Sequence, residues 1–172
     1  MKRLECSFVL VACLLIFVAT PENKAGDLAP DFKLPDLENK PVQLSELLKK
    51  GPVVVDFWAT WCAPCIKYMP ALQGLHEKYS AKGVTVVGIN EDGPRGLAKI
   101  KPTVRSLNAS FLILVDENNE VMRKLRVQVL PTTFLIASDG SIVSQHVGYA
   151  SNTAKKLDAK INELLQKSDN EP

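Results

Sequence analysis

The chain has 172 residues, enough for one domain of about 100 to 150 residues and a short leader. Its 46% hydrophobic and 23% charged residues are the proportions of an ordinary folded soluble protein. A net charge of +2 with no long Lys/Arg cluster excludes a nucleic-acid surface, so any partner has to be inferred from a site.

Lys2 and Arg3 precede an apolar run from Ser7 to Ala19, followed by Thr20, Pro21 and polar residues. Residues 1–25 are therefore expected to be a signal peptide or an N-terminal membrane anchor, with the folded part outside the cytoplasm. The run is shorter than the roughly 20 residues that span a bilayer, which favours a cleaved signal over an anchor. Phe17, however, stands where a cleavage site after Ala19 wants a small residue. "LVAC", residues 10–13, resembles a lipoprotein box that would lipidate Cys13, but the apolar run continues past the cysteine where such signals turn polar.

Residues 29–48, "APDFKLPDLENKPVQLSELL", carry alternating apolar positions, a turn at Glu38, Asn39 and Lys40, and a helical turn expected to be capped near Ser45. "PVVVDFWA", residues 52–59, is a strand covered on both faces. Residues 64–81 place Met69, Leu72, Leu75 and Tyr79 at helical spacing, with a kink expected at Pro70. "GVTVVGIN", residues 83–90, is a second buried strand. Leu97, Ile100, Val104 and Leu107 mark another helix, which Pro102 is expected to kink or restart. "FLILVD", residues 111–116, is a third strand-like run.

Residues 131–148 form a hairpin around the turn Ser138, Asp139, Gly140. An amphipathic helix carrying Ala154, Leu157, Ile161, Leu164 and Leu165 ends the domain, and residues 168–172 are expected to be a disordered tail. This order predicts an α/β fold: a three-layer α/β/α sandwich with a mixed central sheet and an N-terminal β-hairpin extension.

Cys6 and Cys13 fall in the leader, so the domain has only Cys62 and Cys65 and one possible internal bridge. A loop this short restrains the unfolded chain little, which argues against a purely structural disulfide. Zinc would need two more ligands, and His76 and His146 are isolated; covalent haem would need His where Ile66 stands. No metal and no cofactor beyond the cysteine pair is expected. At a helix start the unpaired amides and the helix dipole favour a thiolate at Cys62, the nucleophile, while Cys65 one turn inside resolves the mixed disulfide.

"VVVDFWATWCAPC" followed about 65 residues later by "VLPTTFLI" resembles the thioredoxin superfamily, in its extracytoplasmic TlpA/ResA-like branch. The likeness covers nearly all of residues 27–167, and "APDFKLPDL" resembles the opening of TlpA-like and peroxiredoxin-like domains. The resemblance implies a thioredoxin fold. It makes Trp61 an aromatic that shields the site and Pro64 the residue that shapes the helix start. Pro131 becomes a cis-proline facing the cysteines, leaving Leu130 free to pair with an extended substrate chain.

Asp56 interrupts a buried apolar run, where a carboxylate is costly and its pKa rises. By the same resemblance it matches a buried acid that exchanges a proton with the resolving thiol. Relatives place Glu three residues after the second cysteine; this chain has Tyr68, read here as a packing or rim residue, which shifts the proton-carrying role to Asp56. His76 and His146 are read as surface residues.

The resulting expectation is a thiol-disulfide oxidoreductase that reduces disulfides of exported proteins in the bacterial periplasm through a Cys-Ala-Pro-Cys cycle. Its partners are protein disulfides and thiols and a membrane electron donor, and it acts as a monomer. Cytochrome c precursors, copper-site proteins and a general pool are all admissible substrates. The alternatives are a peroxiredoxin-like peroxidase, for which the proline and threonine spacing is lacking, and a non-catalytic factor holding thiols or copper.

Overall fold

A computed structural model describes residues 25–170; the expected leader, with Cys6 and Cys13, lies outside the described residues apart from Ala25. The β-branched runs become a five-stranded sheet because nearly every side chain in them is buried, on one face or the other. In addition to the sheet's strands the chain forms a small hairpin, β1 (Lys33–Pro35) with β2 (Pro41–Gln43), leading into α1 (Leu44–Leu48). The sheet is built from β3 (Val53–Trp58), β4 (Thr85–Asn90), β5 (Leu112–Val115), β6 (Thr132–Ile136) and β7 (Ile142–Val147), in the order β5-β4-β3-β6-β7. The β3–β4 and β4–β5 pairs are parallel and the β3–β6 and β6–β7 pairs antiparallel, so the sheet is mixed as expected.

Alternation along β3 divides the core in two. Val53, Val55 and Phe57 pack with Phe32, Leu34, Leu44 and Leu47 of the N-terminal extension and α1, together with Val121 and Leu125 of α4 (Glu120–Lys124) and its C-cap. Val54 and Trp58 pack on the other face against Tyr68, Met69 and Leu72 of α2 (Ala63–Tyr79), Ile100 of α3 (Leu97–Ser106) and Leu157 and Ile161 of α5 (Thr153–Asn170). Lys78 and the Tyr79 hydroxyl both reach the Asp158 carboxylate, at 2.5 and 2.7 Å, and tie α2 to α5.

The N-terminal extension laces the sheet from edge to edge. Gly26 donates to the Ile142 carbonyl, Ala29 to that of Gly140, and Leu28 bridges Ser141 beside the β7 edge. Phe32 and Leu34 then enter the core, and Asp36 bridges Leu114 on β5 at the opposite edge.

Several local expectations are revised. The cap of α1 is supplied from outside the helix: the Asp31 carboxylate accepts the Ser45 amide at 3.0 Å, the Phe32 amide at 3.1 Å and the Gln43 amide nitrogen at 2.5 Å. Ser45 is a receiver of the cap because it already lies inside the helix. Pro102 does not restart α3, which runs unbroken through it. The short helix α4 was not foreseen. It begins after Asn119 in the left-handed conformation (φ 54°), and Asp116 takes the amides of Glu120, Val121 and Met122. The last helix extends to Asn170, past the start of the expected tail; ion pairs of Lys160 and Lys167 with Glu163 support that final stretch, and no Gly or Pro interrupts it.

Candidate active site

The cysteine pair stands where β3 gives way to α2. Cys62 is the N-cap of α2, with extended backbone angles (φ −87°, ψ 93°), and its Sγ accepts the Cys65 amide at 3.3 Å. Ala63 and Pro64 make up the first turn, where a proline removes no helical hydrogen bond. The two cysteines are joined, Sγ to Sγ at 2.00 Å with Cα atoms 5.3 Å apart. Both are buried, yet Cys62 lines an open groove and so is the sulfur that a partner can reach.

The loop that carries Cys62 is pinned from the next strand. Asp92, two residues past the end of β4, accepts the Thr60 amide at 3.0 Å and the Thr60 hydroxyl at 2.9 Å through Oδ1, and Asn90 donates to its Oδ2 at 2.9 Å. Gly96 leaves room for this clamp, because a Cβ there would lie 2.4 Å from the Cβ of Asp92. Neither Asp92 nor Thr60 was singled out from the sequence; the pattern "INED" at the end of a buried strand was the available signal.

The groove has a volume of about 780 Å³ and is walled by Trp61, Cys62 and Pro64 on one side and by Glu91, Asn119 and Leu130. Trp61 is 71% exposed, so it forms the groove wall and is not a core side chain. The Leu130–Pro131 bond is cis, and Pro131 directly precedes β6, its carbonyl accepting the Gly148 amide at 2.8 Å. Among the described residues Leu130 has no backbone partner, and Val129 beside it is exposed.

On the α2 face of the sheet, between Val54 and Trp58 of β3, lies Asp56. It is 1% exposed, and the Thr133 hydroxyl, on its register partner in β6, donates to its Oδ1 at 2.7 Å. Burial pushes its carboxyl up to about 7, opposed by that hydrogen bond. Tyr68 is equally buried and is not a rim residue, because it lies one turn beyond Cys65 on the face of α2 that meets the sheet. Its hydroxyl has no well-formed hydrogen bond, and burial together with the Asp56 carboxylate holds the phenol above its ordinary range. Its ring packs against Tyr149 at 5.7 Å.

His76 and His146 are half-buried and not surface decoration. Each has one ring nitrogen buried without a partner, and burial and then Lys156 lower the pKa of His146. Neither lines the groove. Among the described residues no three His, Cys, Asp or Glu side chains gather to hold a metal ion.

Glu91, Asn119, Met122 and Gln128 line the groove without having been singled out from the sequence. Glu91 follows β4 directly, is 6% exposed, and accepts from Asn119 Nδ2 at 2.5 Å. A charged residue after a strand reads as solvated loop, and only the fold turns it inward.

Comparison with known proteins agrees with this geometry. The model of the AhpC/TSA family matches residues 25–145. Thiol-disulfide oxidoreductase ResA of Bacillus anthracis is 33% identical over 148 residues, covering 86% of this chain and 83% of the relative. Among solved structures, a Chlorobium tepidum protein assigned as thiol:disulfide interchange protein DsbE superposes with a TM-score of 0.76 at 34% identity, over 83% of this chain and 98% of that one. Peroxidoxin BcpB from Mycobacterium tuberculosis has a TM-score of 0.65 at 28% identity, over 83% of this chain and 94% of its own. With a cysteine pair at the start of α2 on this sheet, the chain belongs to the AhpC/TSA family of the thioredoxin superfamily and is a ResA-like thiol-disulfide oxidoreductase.

Proposed function

We propose that this oxidoreductase works as a reductase of disulfides in exported proteins, cycling the Cys62–Cys65 pair between dithiol and disulfide with no other cofactor. The observation that carries the reading is the groove: the reachable Cys62 sits at a helix N-terminus between the exposed Trp61 and the unpaired backbone of Leu130. A substrate strand adds along Leu130 ahead of Pro131, which brings its disulfide to Cys62 while Trp61 and Pro64 cover its other side.

The reduced enzyme attacks with the Cys62 thiolate. The substrate S–S bond breaks, a Cys62–substrate disulfide forms, and the departing substrate sulfur takes up a proton. Cys65 then passes its thiol proton to Asp56 and attacks Cys62 Sγ, closing the internal disulfide and releasing the second substrate thiol. Two electrons leave the enzyme in each cycle. A buried carboxyl near pH 7 suits the proton step, since it is neither always charged nor always protonated at the working pH.

Oxidised enzyme is returned to the dithiol by a membrane-bound dithiol donor, outside the cytoplasm in the periplasm, with residues 1–25 supplying export or tethering. No helix among the described residues is long and apolar enough to cross a membrane. The domain acts as a monomer.

The test is turnover of insulin disulfides with dithiothreitol as electron source, together with the equilibrium potential of the Cys62/Cys65 pair. Turnover with a potential near that of thioredoxin, about −270 mV, supports a reductase; a value near about −120 mV overturns the direction. No turnover indicates a thiol-holding or copper-holding factor. The likeness to a peroxidoxin favours a second reading, peroxidase activity, for which direct peroxide consumption is the readout.

A further inference from the structure

Glu91 has no part in the cycle just described, yet it lines the same groove as Cys62. Its backbone is held by the Glu91 amide donating to the Trp58 carbonyl at 2.9 Å. One carboxyl oxygen, Oε2, takes Asn119 Nδ2 at 2.5 Å; the other, Oε1, is buried with no partner. A carboxyl oxygen kept out of water without a hydrogen bond is a standing penalty unless something that visits the groove satisfies it.

The surroundings decide which protonation state waits there. Burial raises the Glu91 carboxyl to about 8, Asp116 from the end of β5 adds to the rise, and the Asn119 hydrogen bond and Arg123 of α4 oppose it. From α2, the first-turn residues Ala63, Pro64, Cys65 and Ile66 bring no charge. With Oε2 accepting from Asn119, the proton belongs on Oε1, and a protonated carboxyl is a hydrogen-bond donor.

We propose that Glu91 is a substrate-contact residue of the groove, offering the Oε1 proton to a backbone carbonyl of the peptide that carries the disulfide. This rests on the reductase reading above and adds to it a preference for peptide disulfides over small ones. No covalent change occurs at Glu91; the contact holds the peptide while Cys62 does the chemistry. Ionisation of Glu91 replaces the donor with an acceptor that repels the same carbonyl, so peptide binding weakens as pH rises past about 8.

The experiment compares wild type, Glu91→Ala and Glu91→Gln on two disulfides, insulin and bis(2-hydroxyethyl) disulfide, which has no peptide carbonyl. For Glu91→Ala the expected result on insulin is a KM raised about tenfold with kcat within about twofold, and on the small disulfide no change. Glu91→Gln retains a donor in Nε2 and should hold the insulin KM within about twofold at about pH 7. Between about pH 7 and 9 the wild-type KM should climb relative to that of Glu91→Gln, a ratio in which the titration of Cys62 cancels. Equal losses on both disulfides, an unchanged insulin KM in Glu91→Ala, or a ratio flat with pH each overturn the contact. If the wild type leaves insulin oxidised, the reductase reading falls and takes this one with it; if the wild type reduces insulin and Glu91→Ala does so equally well, only the Glu91 contact falls.

Discussion

Replacing Asp56 by Asn keeps the shape of the side chain and its ability to accept the 2.7 Å hydrogen bond from Thr133, but removes the titration. In the folded protein the carboxyl is raised from 3.8 to about 7. Below pH 3.8 both folded and unfolded chains hold the proton and the group contributes nothing to pH dependence. Between 3.8 and about 7 the unfolded chain has released its proton and the folded one has not, so stability falls as pH rises, then levels off above about 7. The interval is about three pH units at about 1.4 kcal/mol each, an upper bound of about 4 kcal/mol. Relative to wild type, oxidised Asp56→Asn should therefore gain about 3 to 4 kcal/mol of stability between about pH 4 and pH 8. Guanidinium unfolding of both proteins across that range measures the gap directly. Curves that run parallel within about 1 kcal/mol would refute a buried, proton-holding Asp56. The same variant in its reduced form, rapidly mixed with a disulfide substrate, should resolve its own Cys62–substrate mixed disulfide at least about tenfold more slowly at pH 7 and without the inflection near 7, because Cys65 has lost its proton acceptor.

Three further changes probe the surroundings. Asp92→Ala leaves the Thr60 amide and hydroxyl and Asn90 without their acceptor, and should lower stability by about 2 kcal/mol while slowing insulin reduction through a loosened Cys62 loop; an unfolding midpoint equal to wild type would count against the clamp. Tyr68→Phe removes a buried hydroxyl with no well-formed partner, so stability should hold or rise by about 1 kcal/mol in denaturant melts, and a drop of that size would mean the hydroxyl is satisfied in solution. Trp61→Ala strips an exposed aromatic from the groove, and kcat/KM for insulin should fall about fivefold or more with unchanged thermal stability; a shifted Tm with intact kinetics would assign Trp61 to packing instead.

The sheet was readable because its strands are continuous β-branched runs, a pattern that demands cover on both faces. Cys62, Pro64 and the start of α2 were readable for a similar reason: proline in the first turn and the spacing of the pair are local facts. What escaped was whatever depends on a distant partner. The helix α4 has only five residues, too few for a periodic pattern, and its cap comes from Asp116, which ordinary cap spacing does not suggest. Tyr68, where relatives carry an acid, left packing and rim both open on paper; the face of α2 that Met69 and Leu72 turn to the sheet makes it a packing residue. Glu91 and Asp92 are adjacent charged residues that look solvated on paper; one turns into the groove and the other pins the cysteine loop, and no spacing rule separates them.

The lacing of the sheet by residues 26–36 bears on the order in which the molecule can be completed. Those residues leave the ribosome ahead of every strand of the sheet, yet their partners, Leu114 and the stretch 140–142, come some 80 to 115 positions later. Until nearly the whole domain has emerged, the early strands β3 and β4 exist without the cover that finally seals both margins of the sheet, and unpaired margins of that kind are templates for a neighbouring chain. This early segment is thus among the last to find its place, and the nascent protein is most exposed to its own copies just before the final hairpin arrives.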